Sequence, residues 1–223
     1  MADVPGIRRV RFTSPHPKDF PLPLLLAIAE HPNICKHVHL PVQAGSDRIL
    51  DKMNRTYTRR EYLSLVDTVR RTIPNVAITT DIIVGFPTET EADFQETAAL
   101  VREAAFDNAF IFKYSEREGT VARRDFPDDV PPEAKTDRIV RLLDLQHAIA
   151  QEKNDARIGE TVAVLIEGMD EKRDGYQMGK SDGYQTVIFP ATDHAVGTLV
   201  SVRILRATPG ALHGVAVGEC SAI

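Results

Sequence analysis

The segment Thr79-Thr80-Asp81-Ile82-Ile83-Val84-Gly85-Phe86-Pro87-Thr88-Glu89-Thr90 is an apolar run of strand length that stops at Gly-Phe-Pro and turns at once into a helix start. Such an exit marks the C-terminal end of a parallel strand, where α/β folds hold their ligands. Gly85 lacks a Cβ and is expected to let a ligand approach the backbone. Pro87 removes a hydrogen-bond donor and stops the strand. Thr90 is placed to cap the following helix, with Asp93 three residues on as a variant capping box.

Outward from this segment the pattern repeats. Arg8 to Phe12 reads as a short strand, Asp19 to Glu30 as a helix confined by Pro21 and Pro23 to its later part, and Val38 to Pro41 as a strand. Ser46 or Asp47 caps a helix carrying Ile49, Leu50 and Met53. Thr58 and Glu61 form a capping box ahead of a helix with Tyr62, Leu65, Val66 and Val69 at helical spacing. Phe94, Ala98, Val101 and Ala105 share one face of the next helix, and Phe110 to Tyr114 is a strand closed by the loop Ser115 to Thr120. This βα rhythm predicts a parallel sheet with helices outside it. After a Pro/Asp linker at 126–132, one long helix is expected from Glu133 to Ala156. Beyond Gly159 come short strands without helices, at Thr161–Ile166, Thr186–Phe189, Thr198–Leu205 and Leu212–Val217, which indicate a small antiparallel barrel or sandwich. Two domains are expected, residues 1–156 and 157–223.

The 223 residues are 43% hydrophobic and 26% charged, the composition of an ordinary globular chain. The apolar stretch Leu22–Ala29 is broken by Pro23 and falls far short of the ~20 residues of a membrane helix. No basic-then-apolar leader opens the chain, so a cytoplasmic location is expected. A net charge of −5 argues against a strongly basic nucleic-acid binder. Any RNA contact must come from a local patch, for which Lys172, Arg173, Lys180, Arg203 and Arg206 are the candidates. Their region holds six Lys/Arg against eight Asp/Glu, a net −2. Cys35 and Cys220 have no metal-ligand spacing and read as free thiols. His37 and His39 share a strand face, but with His16 they make no supported metal site, and none is expected.

At the strand exits, Gln43 and Ser46 can hydrogen-bond a ribose or carboxylate, although a plain loop with a helix cap accounts for Ser46 and Asp47 fully and is the more usual reading of this spacing alone. Arg55 can pair with a carboxylate or phosphate through its planar fork. Tyr114 can stack on a purine or simply pack half-buried.

Taken in order, Arg9-Val10-Arg11-Phe12-Thr13-Ser14-Pro15-His16-Pro17, His39 to Leu50 with Met53-Asn54-Arg55, Asp81 to Thr90, and Phe112-Lys113-Tyr114-Ser115 with Arg117 and Gly119-Thr120 resemble the radical S-adenosylmethionine methylthiotransferases of the MiaB type. The tail resembles a TRAM domain. The resemblance implies the C-terminal half of a radical-SAM barrel, a partial TIM-like α/β fold with parallel strands, followed by an OB-like barrel. It also implies a reaction in which a 4Fe–4S cluster cleaves S-adenosylmethionine. The resulting radical activates C2 of an isopentenylated adenosine at position 37 of tRNA, beside the anticodon, for methylthiolation. By position, Gln43 and Ser46 would face the ribose or methionine end of S-adenosylmethionine and Arg55 its carboxylate. Ile83, Val84 and Gly85 would line the adenine side with Tyr114 nearby. Residues 11–17 favour the tRNA-modifying branch over the ribosomal-protein branch.

The family's Cys-x-x-x-Cys-x-x-Cys motif is missing from this sequence, and two cysteines cannot supply three cluster thiolates. The Gly-x-Ile-x-Gly-x-x-Glu pattern is loose too, with Asp81 at the first glycine and Thr88 at the acid. The expectation is a C-terminal portion that is inactive alone, binds the tRNA anticodon stem-loop, and needs the N-terminal part or a partner chain. A non-catalytic RNA-binding module or pseudoenzyme remnant is the alternative. An unrelated phosphate-binding enzyme would have to draw on Asp81, Glu89 and His16.

Overall fold

The structure is a computed structural model that describes residues 2–12, 17 and 20–219. The expected strand and loop residues Thr13 to His16, and Cys220, lie outside these. The elements are α1 (Leu22–Glu30), β1 (His37–His39), α2 (Asp47–Lys52), α3 (Arg59–Thr72), β2 (Ala77–Val84), α4 (Glu91–Ala104), β3 (Asn108–Lys113), α5 (Val121–Asp125) and α6 (Pro132–Asp155). The barrel strands follow as β4 (Thr161–Met169), β5 (Tyr176–Ser181), β6 (Thr186–Pro190), β7 (Leu199–Ala207) and β8 (Leu212–Glu219).

The first three strands pair in parallel in the order β1-β2-β3. Alternation along β2 sends Ile78, Thr80, Ile82 and Val84 toward the helices and Ala77, Thr79, Asp81 and Ile83 to the inner face. Register places Asn108, Phe110 and Phe112 beside the inner set. The helix layer closes on Tyr62, Val66, Val69, Phe94, Leu100, Val101 and Phe106, all essentially buried. The capping boxes at Thr58/Glu61 and Thr90/Asp93 form as their spacing predicts. Among the described residues the expected strand at Arg8–Phe12 is a single parallel bridge, Val10 to Ile34, while the side chains of Arg9 and Arg11 donate to carbonyls of the small barrel.

Gly45 sits where the loop after β1 presses on α4. A Cβ there would stand 2.5 Å from Thr97 Cα and 2.7 Å from Glu96 O, both backbone atoms that cannot turn aside. Gly45→Ala should therefore cost about 2 kcal/mol of stability, within the usual range for overpacking. A urea midpoint unchanged from the parent chain would refute this.

The remaining strands close a five-stranded barrel in the order β4-β5-β6-β8-β7 around Val164, Ile166, Val187, Phe189, Val200, Val202, Ile204 and Leu212. It is antiparallel except where β8 meets β6, which is parallel. The cause is the path: β7 crosses to pair with β4, and β8 returns into the gap beside β6. The barrel rests on the beginnings of the parallel strands, away from their exits. Arg9 Nη1 donates to Lys180 O at 2.7 Å and Lys36 N to Asp182 Oδ2 at 2.9 Å. Tyr184 stacks on His37 at 5.1 Å with Arg11 and Lys180 each 4.7 Å from its ring. From the C-terminal end of α6, Asn154 donates to Thr208 O at 2.9 Å.

Candidate functional site

The exits of β1, β2 and β3 surround a cavity of about 500 Å3 lined by Gln43, Arg55, Asp81, Ile83, Tyr114 and Thr120, among others. Gln43 is held there at φ +73°, a left-handed backbone conformation that costs a non-glycine residue ~1–2 kcal/mol. The bonds that impose it are its own N–H to Asp81 O and Ile83 N–H to its carbonyl, each 2.9 Å. Strain of this kind persists where the surrounding structure requires a side chain in one place. Arg55 Nε and Tyr114 Oη are buried without any hydrogen-bond partner. Both groups stand at the cavity edge, where an acceptor-bearing ligand would satisfy them. A larger hollow of about 930 Å3 lies between residues 2–9 and the small barrel, and no strand exit reaches it.

Of the residues expected to bind a cofactor, the structure brings Gln43, Arg55, Ile83 and Tyr114 together and places three elsewhere. Val84 points to the helix layer and is fully buried. Ser46 precedes α2 but makes no side-chain cap; its hydroxyl instead donates to Asp93 Oδ1 at 2.6 Å. Gly85 departs from its expected use as an open approach for a ligand. At φ +70° its missing Cβ leaves room that Lys135 fills, with Cγ 2.4 Å from where that Cβ would stand. Lys135 Nζ goes on to the Asp128 carboxylate at 2.5 and 2.6 Å. The glycine is thus needed for packing against α6.

Sequence reasoning missed α5, which brings Thr120 and Ala122 to the cavity rim. Its signal was Thr120, whose hydroxyl accepts from Arg123 N as an N-cap. It also missed the buried Glu89–Arg138 pair beneath the β2 exit, 2.8 Å apart, in which Glu89 Oε1 also accepts from Gly85 N at 3.0 Å. Burial pushes the Glu89 carboxyl up, against the bonds from Gly85 and Arg138.

The basic candidates for RNA divide. Lys172 and Arg173 share a cavity of about 840 Å3 with His213, and Arg206 pairs in register with His213. Lys180 lies between the barrel and the parallel sheet, where its ammonium donates to Thr186 Oγ1 at 2.8 Å. Arg203 is exposed opposite Val215. Among the described residues, no group of three or more His, Cys, Asp or Glu side chains is placed to hold a metal ion. No helix among them is long and apolar enough to cross a membrane.

Comparison with known proteins matches residues 2–101 to the Radical SAM superfamily and residues 155–217 to the TRAM domain. The chain carries a radical SAM domain followed by a TRAM domain. Its relatives include proteins named tRNA-2-methylthio-N(6)-dimethylallyladenosine synthase. That of Phocaeicola vulgatus is 47% identical over 206 residues, covering 92% of this chain and 45% of the relative. That of Methylacidiphilum infernorum is 45% identical over 214 residues, covering 96% and 46%. The chain thus spans a little under half the length of the curated relatives it matches, and the resemblance seen in its motifs is borne out. The solved coproporphyrinogen III oxidase of Escherichia coli, described as a radical SAM enzyme, shares the fold at a TM-score of 0.50 and 15% identity, over 92% of this chain and 50% of that one. The radical SAM family employs S-adenosylmethionine and a 4Fe–4S cluster.

Proposed function

We propose that this chain is the C-terminal portion of a tRNA methylthiotransferase that converts N6-dimethylallyladenosine at position 37 to its 2-methylthio derivative. The observation that carries the reading is the exit cavity, with Gln43 strained into it and Arg55 and Tyr114 presenting buried, unpartnered donors. These residues fit S-adenosylmethionine. Arg55 would hold its carboxylate through a charge-assisted bond. Gln43 would hydrogen-bond the ribose, and Ile83 and Tyr114 would flank the adenine. When bound beside a reduced cluster, this cofactor supplies the family's radical chemistry.

The cluster itself does not fit this chain. It needs three thiolates close together, and there are two cysteines in all. Cys35 is buried, and burial pushes its thiol up to about 11, the opposite of what a metal ligand needs. The cluster ligands must come from other residues of a longer protein or from a partner chain, and the isolated chain is expected to be inactive. Its location is proposed to be cytoplasmic, where tRNA is modified. The TRAM barrel would bind the anticodon stem-loop, with Arg173 and Arg206 beside His213 as the first contacts and Lys172, Lys180 and Arg203 as further ones.

Calorimetry of the chain with S-adenosylhomocysteine should show saturable binding, weakened about tenfold or more in Arg55→Ala through loss of a charged hydrogen bond. A chain that takes up no S-adenosylhomocysteine would refute the cofactor reading. A non-catalytic RNA-binding module would instead bind a tRNA stem-loop in a salt-dependent way with no response to the nucleoside cofactor.

A further inference from the structure

On the inner face of the sheet, four side chains of β1 and β2 form one hydrogen-bonded ladder. His37 Nε2 lies 3.0 Å from Thr79 Oγ1, Thr79 Oγ1 lies 2.9 Å from His39 Nδ1, and His39 Nε2 lies 3.3 Å from Asp81 Oδ2. The roles along it follow from its end. An ionised carboxylate only accepts, so His39 Nε2 carries the proton. With its proton on Nε2, His39 accepts at Nδ1 from the Thr79 hydroxyl, and that hydroxyl accepts from His37 Nε2–H. This leaves His37 Nδ1 a bare lone pair, and it is indeed buried with no partner. Burial foremost, and then the neighbouring Arg11 guanidinium, push His37 down to about 4, which keeps its ring neutral.

The ladder fixes Asp81 through Oδ2 alone. Oδ1 accepts no hydrogen bond from any described residue, and Asp81 lines the cavity that holds Gln43 and Arg55. Across the strand pair Phe110 stands beside Asp81 and Phe112 beside Ile83, and the two residues are 43% and 54% exposed. Two exposed rings next to one oriented acceptor suit a planar heterocycle that has an N–H and an apolar substituent. An adenine alkylated once at N6 has a single exocyclic N–H.

We infer that Asp81 is a specificity residue for the target base: its Oδ1 accepts the one N6–H of an N6-alkylated adenine, while Phe110 and Phe112 cover the ring and its apolar substituent. This rests on the methylthiotransferase reading above and adds the residue that selects a secondary amine. Adenine N6 and C2 flank N1 on one edge, so a base anchored at N6 keeps C2 unobstructed. A base doubly alkylated at N6 has no proton to give and would leave a carboxylate facing it unpaired.

The test is a titration of the full chain, followed by NMR, with N6-dimethylallyladenosine and with its N6-methylated tertiary-amine analogue. S-adenosylhomocysteine and an anticodon stem-loop RNA are titrated in parallel. The secondary amine should bind about tenfold or more tighter than the tertiary one. Asp81→Asn should erase that ratio, because the carboxamide gives its oxygen to His39 Nε2–H and turns its own NH2 toward N6–H. Phe112→Ala removes an exposed ring that the fold does not require. It should weaken the dimethylallyl nucleoside about threefold more than N6-methyladenosine, by loss of apolar contact. Absence of saturable nucleoside binding, equal binding of the two amines, or an unchanged ratio in Asp81→Asn overturns the inference. If S-adenosylhomocysteine and RNA still bind, it falls alone; if they fail as well, the methylthiotransferase reading falls with it.

Discussion

Arg138→Met should lower stability by about 3–5 kcal/mol, the cost of leaving a buried charge without its partner. Arg138 and Glu89 are 8% and 2% exposed at the side chain, and Arg138 Nη1 also donates to Glu89 O at 3.2 Å. The loss should depend on pH in a defined direction. Burial raises the folded pKa of Glu89 above its ordinary value even with Arg138 present. A carboxyl raised in this way favours the fold below the unfolded pKa, and that contribution is lost as pH rises through the folded value. Without Arg138 the carboxyl rises further, so the gap between variant and parent should be widest near pH 8 and shrink as pH falls toward the carboxylate range. Adding Glu89→Gln to Arg138→Met should recover a large part of the loss, since Gln keeps an oxygen for Gly85 N without a charge. Urea unfolding at several pH values reads all three. A pH-independent loss, or no recovery in the double variant, would rule out this account of the pair.

This pair also shows what a single sequence conceals. The motif Gly85-Phe86-Pro87-Thr88-Glu89 announced a strand exit and a helix start, and both are present where local rules put them. Such rules act over a few residues: a glycine, a proline stop, a Thr with an acid three residues on. The partners of Gly85 and Glu89 come from α6, 49 residues further along for the Glu89–Arg138 contact, and nothing in the local pattern points there. Gly85 therefore read as an open approach when its space is filled by Lys135.

The same limit explains β5. Its inward residues are Gln177, Gly179 and Ser181, polar or small, so no apolar alternation marks it. The cavity was half legible. Gln43, Arg55, Ile83 and Tyr114 could be nominated because family motifs and strand exits coincide there. Ser46 could be read as a ligand contact or as a plain cap, and only the fold reveals Asp93 beside it. The ladder from His37 to Asp81 was visible merely as two histidines on one strand face, since its other members belong to the neighbouring strand.

Asp93→Ala should cost about 3 kcal/mol, the sum of a lost helix cap and lost charge-assisted bonds. Asp93 Oδ2 accepts from Thr90 N at 2.8 Å and Thr90 Oγ1 at 2.6 Å, and Oδ1 accepts from Ser46 Oγ at 2.6 Å and Arg48 Nε at 3.2 Å. Arg48 Nη2 also bonds Oδ2 and reaches Thr88 O at 2.6 Å. One carboxylate therefore ties the β1 exit at Ser46 to the β2 exit at Thr88 while capping α4. Burial by itself would raise its pKa, but the bonds from Arg48, Ser46 and Thr90 outweigh it and hold the carboxyl well below the usual range. The sign is the reverse of that for Glu89. A depressed carboxyl contributes stability that is present above the unfolded pKa of ~3.9 and is lost as pH falls through the folded value. Parent and Asp93→Ala stabilities should thus converge in strong acid and separate by pH 6. Asp93→Asn keeps an oxygen for Ser46 and part of the cap, and should lose about half as much. Because the two exits carry Gln43 and Ile83, S-adenosylhomocysteine affinity should fall in Asp93→Ala even at temperatures where the variant stays folded. Unaltered affinity in folded Asp93→Ala would mean that the exits hold their positions without this tie and that the strain at Gln43 is maintained by the β1–β2 backbone bonds alone.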